Sequence, residues 1–149
     1  MEGDVEGALT VPLMSDHEVA DLLANTHYIA VVGVPNDPAS DSYRVAAYQQ
    51  SQGYHLLPVA PQEDSILGFS TANSVSDLSD VDIVDVFAHP NDVPAIADEA
   101  IRAGAKALWL QPGSSNPQAV QRAEQAGLKV IDGKCFMREH SRLMADKPM

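Results

Sequence analysis

An α/β fold built on a doubly wound, five-stranded parallel sheet is what this sequence predicts, and three observations carry the prediction. Short apolar runs alternate with helix-like stretches all the way from Tyr28 to Ile131. Gly53, Gly104 and Gly127 each close a helix-like stretch and precede a strand-like one, the place for a left-handed helix-ending residue. Strand–helix–strand units joined in this way form crossovers, hence a parallel sheet with helices on both faces. Right-handed crossovers then favour the Rossmann-like strand order 3-2-1-4-5.

Residues 1–14 hold Glu2, Asp4 and Glu6 among glycines, without periodicity, and read as a flexible acidic tail. Residues 15–149 read as a single domain. Ser15 and Glu18 make a capping-box pair, and Val19, Leu22 and Leu23 give the short helix that follows one apolar face. Strands are expected near Tyr28–Val34, His55–Val59, Ile83–Phe87, Ala107–Leu110 and Lys129–Ile131. Helices are expected near Ser42–Gln52, Val93–Ala103 and Pro117–Ala126, with a final one over Phe136–Met144. The Val93–Ala103 helix has the clearest signature, because Val93, Ile96, Ala97, Ala100 and Ile101 share one face. Pro94 and Pro117 sit near helix starts, where a missing N–H costs little. Between Ala60 and Asp82, Pro61, Gly68 and several serines break any long helix, and Val75–Leu78 is long enough for one turn.

Composition excludes several functions. A chain of 149 residues, 45% hydrophobic and 20% charged, suits one domain with a fair core. Its net charge of −12 and nine basic residues argue against nonspecific nucleic-acid binding, which needs clustered Lys and Arg. The acidic excess fits a solubility device or a salty cytoplasm. No apolar run reaches the roughly 20 residues of a membrane span, and no basic-then-apolar signal pattern opens the chain. One cysteine allows no internal disulfide and fits a reducing compartment, so a cytoplasmic protein is expected.

The stretch from Tyr28 to Tyr48 has the layout of a nucleotide-phosphate site. Ile29-Ala30-Val31-Val32 ends at Gly33, and a polar loop leads into a helix opening Ser42-Tyr43-Arg44. Such a helix aims free N–H groups and its positive dipole end at the turn. Gly33 either lets a phosphate approach or only makes the turn. Arg44 either clamps a phosphate or pairs with Asp41 or Asp37, and Ser42 serves as phosphate donor, as N-cap, or as both.

Val34 and Pro35 follow Gly33, so the G-x-G-x-x-G dinucleotide fingerprint is absent. The end of the second strand reads Pro58-Val59-Ala60-Pro61, without the acidic residue that holds a ribose in dinucleotide enzymes. That rigid apolar edge suits an adenine ring or a pantetheine arm, or is simply a stiff strand exit. The third strand exits through Phe87-Ala88-His89-Pro90 and the fourth through Gln111-Pro112-Gly113. His89 has no nucleophile nearby in sequence to serve as a base for. Cys135 and His140, five apart, do not share a helix face, so Cys135 reads as a buried structural thiol. No His/Cys cluster has metal spacing, so no metal is expected. Trp109 reads as core.

From Ile29 to Leu143 the sequence resembles the stand-alone CoA-binding domain proteins, the YccU-like family, related to the CoA-binding domain of succinyl-CoA synthetase. The matching landmarks include Ala30-Val31-Val32-Gly33, Ser42-Tyr43-Arg44-Val45, Gly53-Tyr54, Pro58-Val59-x-Pro61 and Ile66-Leu67-Gly68. Further on come Val81 to Phe87, Gly104 to Gln111, Gly127-Leu128, and Cys135 with Glu139-His140. The resemblance implies a coenzyme A pocket. Gly33, Val34 and Pro35 with Ser42, Tyr43 and Arg44 would hold phosphates, and Pro58, Val59, Ala60 and Pro61 would flank the adenosine. Phe87, Ala88, His89 and Pro90 would cover the pyrophosphate or pantetheine, and Val93 opens the helix behind them. The family commonly has Asn where this chain has Ala60, and Arg where it has Ala88. Losing that arginine removes a permanent charge from an anion site, which His89 replaces only when protonated.

The expected function is therefore a small non-catalytic cytosolic protein that binds coenzyme A or an acyl-CoA. The alternatives are a nucleotide-sensing regulatory module acting on a protein partner, and an NAD(P)-using enzyme. The synthetase relatives carry further domains, so ligase activity would require another subunit.

Overall fold

Ile83, Val84, Asp85 and Val86 are all buried, and their strand is the middle of the molecule. The structure, a computed structural model, describes residues 14–144; of the acidic tail expected over 1–14 only Met14 lies within them. Strand β1 spans Tyr28–Val32, β2 His55–Val59, and two short strands, β3 and β4, span Ser65–Ile66 and Phe69–Ser70. Strands β5, β6 and β7 span Ile83–Val86, Ala107–Leu110 and Lys129–Asp132. The five long strands are all parallel and run β2-β1-β5-β6-β7 across the sheet.

The doubly wound, five-stranded parallel class is the one the sequence predicts, and the order reverses beside β1 as expected. One placement differs from 3-2-1-4-5: the third long strand, β5, pairs with β1 instead of lying beyond β2. Pro58 supplies the reason. It sits opposite Val31 in β2 and has no N–H to give, so β2 is tolerated only at the margin of the sheet. The four-residue apolar run of β5 suits the centre.

Helix α1 spans Asp16–Ala24, α2 Asp41–Ser51, α3 Val93–Arg102, α4 Pro117–Gln125 and α5 Phe136–Met144. Successive strand residues point to opposite faces, which builds two cores. On one face Val84, Val86, Leu108 and Leu110 meet Ala97 and Ala100 of α3 and Ala119 and Ala123 of α4. On the other, Ile83, Trp109 and Ile131 meet Leu23 of α1, Val45 of α2 and Phe136 of α5. The predicted Ser15 and Glu18 capping box is present. Trp109 is fully buried, and its indole N–H donates to the Lys134 carbonyl at 2.7 Å. Arg142 forks onto both carboxylate oxygens of Asp16 at 2.8 and 2.9 Å and reaches Glu139 at 2.6 Å, tying α5 to the start of α1.

Two local readings change. The loop between Ala60 and Asp82 contains the single turn expected, Val75–Asp77, but also the β3–β4 hairpin, whose turn places Leu67 at φ 55°. Its Phe69 ring packs edge-on against His55, which shields the outer side of β2. Cys135 is half-buried at the margin of the second core instead of fully buried.

Candidate ligand-binding cleft

The first crossover builds the floor of a cleft. Gly33 takes φ +87°, and a Cβ there would run into the carbonyl oxygen of Phe87. The Phe87 N–H donates to the Val32 carbonyl at 2.9 Å, so the exits of β1 and β5 touch backbone to backbone. Only glycine permits that approach. The loop then turns up through Val34, Pro35 and Asn36 to form one wall.

Opposite it, β2 exits through Val59, Ala60 and Pro61. The Glu63 N–H donates to the Ala60 carbonyl at 3.1 Å, closing a turn with Pro61 at its second position, where the fixed φ of proline belongs. The Thr71 hydroxyl donates to the Glu63 carbonyl and holds that turn in place. Asn73, Ser74 and Val75 form a third side, and Ile96 and Glu99 of α3 the fourth. The Val75 N–H donates to Glu99 Oε1 at 3.0 Å, joining the last two. The open cleft has a volume of about 520 Å³, within the range of small-ligand sites. It opens at the carboxyl ends of β1 and β2, next to the point where strand order reverses.

Six of the residues singled out from sequence line this cleft: Gly33, Val34, Pro35, Val59, Ala60 and Pro61. Nine do not. Ser40, rather than Ser42, is the N-cap of α2: its hydroxyl accepts from the Tyr43 N–H at 3.1 Å and lies 3.4 Å from the Ser42 hydroxyl. Ser40 wins because the helix starts one residue earlier than expected, at Asp41. Arg44 turns back along its own helix, 3.2 Å from Asp41 and donating to the Ala39 carbonyl at 3.0 Å. Pro58 is buried, its carbonyl accepting from the Ala72 N–H. The Ala88 N–H donates to Ser114, and His89 Nδ1 accepts from the Asn91 N–H at the start of the short turn Pro90–Asp92. The Pro90 carbonyl accepts from Asn116, Val93 is core, and Phe87 and Tyr43 pack against the second core.

Sequence reasoning missed Asn36, Gln62, Glu63, Ser74, Ile96 and Glu99. Ile96 and Glu99 lie on a helix read only for its core-facing stripe. Glu63 was findable: Pro61 implies a turn, and a turn after β2 brings the next acidic residue back to the strand's end. The second strand therefore does present a carboxylate at its exit. Asn36 Nδ2 donates to Glu63 Oε1 at 3.3 Å and links the two walls. Among the described residues that line the cleft there is no lysine, arginine or histidine.

Beneath the sheet, on the α2 face, lies a buried polar cluster the sequence did not reveal. Gln49 and Gln111 each donate to one oxygen of Asp85 at 2.7 Å, and all three side chains are almost wholly inaccessible. Burial pushes the Asp85 carboxyl up to about 7, against the opposing effect of the two amide donors. Gln49 Oε1 is buried without a partner.

Residues 27–141 match the family described as a CoA binding domain. The chain is 32% identical over 128 residues to the uncharacterized protein YneT of Bacillus subtilis (strain 168), covering 85% of this chain and 95% of that one. A hypothetical protein from Pyrococcus horikoshii OT3 superimposes with a TM-score of 0.85 at 34% identity, over 91% of this chain and 97% of that one. A dinucleotide-forming acetyl-coenzyme A synthetase of Ca. Korarchaeum cryptofilum superimposes with a TM-score of 0.66 at 25% identity, over 76% of this chain but only 27% of that one. With the family match spanning most of its length, this chain belongs to the CoA-binding domain family.

Proposed function

We propose that this protein binds coenzyme A or an acyl-CoA in the cleft at the carboxyl ends of β1 and β2, as a small cytosolic protein without catalysis of its own. The observation that carries the reading is the position of the cleft: it opens at the strand-order reversal of a chain belonging to a CoA-binding family. The donor set suits part of that ligand. Val59, Ala60 and Pro61 offer an apolar shelf for adenine or pantetheine, while the Ser74 side chain makes no cap bond within its own turn and is available as a donor. A site with two carboxylates and no cation does not suit the whole charge of coenzyme A.

The non-catalytic part of the proposal rests on where the reactive side chains are. His140 Nδ1 lies 2.7 Å from the Tyr48 hydroxyl and its ring stacks on Phe136, inside the α2–α5 packing. His89 is occupied with capping. Isothermal titration of the full chain with coenzyme A and with acetyl-CoA tests the binding. Saturable one-to-one heat is the expected result. No heat and no thermal shift at millimolar ligand overturn the proposal.

A further inference from the structure

We infer that Glu63 makes the cleft selective for an adenosine pyrophosphate whose ribose diol is free, and against the 3′-phosphorylated ribose of coenzyme A itself. The inference rests on the cleft proposed above as the adenosine-pyrophosphate site, and within that ligand chemistry it makes the 3′-phosphorylated forms, coenzyme A and acyl-CoA, the weaker binders.

Three observations bear on it. The Glu63 carboxylate stands just beyond the exit of β2, the place where a parallel nucleotide-binding sheet meets the adenosine ribose. Its backbone is fixed on both sides, by its own N–H to Ala60 and by the Thr71 hydroxyl on its carbonyl. Asn36 holds one of its oxygens at 3.3 Å, and the other has no donor from the protein among the described residues. A carboxylate so placed accepts from vicinal hydroxyls. It repels a phosphate monoester, which carries close to two negative charges near neutral pH.

Among the described residues lining the cleft, nothing offsets that repulsion. The lining residues include no cation, Glu99 adds a second carboxylate, and Arg44 is engaged with Asp41 and the Ala39 carbonyl. Both dephospho-coenzyme A and an NAD-type dinucleotide carry the required adenosine with its diol free, and separate titrations tell them apart.

The experiment titrates the full chain with coenzyme A, 3′-dephospho-coenzyme A and NAD at low and high salt, and repeats it with Glu63→Gln. Glu63 is only partly buried, so this variant folds, and an unchanged thermal midpoint confirms it. The expected result is at least about tenfold tighter binding of a free-diol ligand than of coenzyme A at low salt. That gap should shrink at high salt and largely close in Glu63→Gln, mainly through tighter coenzyme A binding. Equal or tighter binding of coenzyme A by the unaltered chain overturns the inference and leaves the binding proposal standing. So does a gap that Glu63→Gln leaves unchanged. Failure of both coenzyme forms with binding of NAD would remove the coenzyme A reading while keeping the free-diol selectivity. Failure of all three ligands removes both.

Discussion

Gly33 and Phe87 are in backbone contact: the α-carbon of one lies where any added Cβ would strike the carbonyl oxygen of the other. This single approach sets how closely the β1 and β5 exits meet, and so where the cleft floor lies. Gly33→Ala must both hold a left-handed φ and displace backbone, since no flexible side chain can yield. The expected cost is about 2 kcal/mol or more, read as a lower urea midpoint, together with weakened ligand binding.

Asp85 is expected to give the protein an unusual acid-side stability. Unfolded, its carboxyl titrates near its ordinary value of 3.8; folded, near 7. Between those values the folded chain keeps a proton the unfolded chain has released. On this account stability is full below about pH 4 and falls as pH rises toward 7. Asp85→Asn removes that slope. The asparagine amide can donate to Gln49 Oε1 after that side chain flips, which leaves Gln49 Nε2 in the position without a partner, and its oxygen still accepts from Gln111. At pH 8 the variant should be more stable by roughly 2–4 kcal/mol in urea unfolding.

His140 acts in the opposite sense. Burial holds its imidazole below the ordinary 6.5, so the unfolded chain takes up the proton first as pH falls. Its contribution is present above 6.5 and lost on acidification below it. In the Asp85→Asn background, where the opposing slope is gone, stability should decline from pH 7 to pH 5. His140→Gln in that background should flatten the decline.

Tyr48→Phe removes the hydroxyl that meets His140 Nδ1 at 2.7 Å and Ser141 at 3.1 Å. Leaving the ring nitrogen of the buried His140 without its partner should cost about 1 kcal/mol. The lone Trp109, fully buried, makes a convenient fluorescence probe of the transition.

Arg44→Ala separates the sequence expectation from the structure. A phosphate clamp would lose tenfold or more in coenzyme A affinity on truncation. An exposed side chain paired with Asp41 should leave affinity within about threefold and the unfolding midpoint nearly unmoved, as measured by calorimetry and urea titration.

The sequence by itself determined the class of fold and most of its elements. Apolar runs, helix faces and helix-ending glycines are local signals, and Gly33, Pro61 and the α3 stripe at Val93, Ala97 and Ala100 were legible because each acts through its own backbone or periodicity. Tertiary structure alone decided the partnerships. That β5 rather than β6 lies beside β1, that Asp85 lies between Gln49 and Gln111, and that Glu63 meets Asn36 across the cleft are all contacts between residues brought together by folding. Spacing along a chain carries the period of a helix or strand; it carries no distance between residues 30 or 60 positions apart, and the charge of a binding site is the sum of such distances.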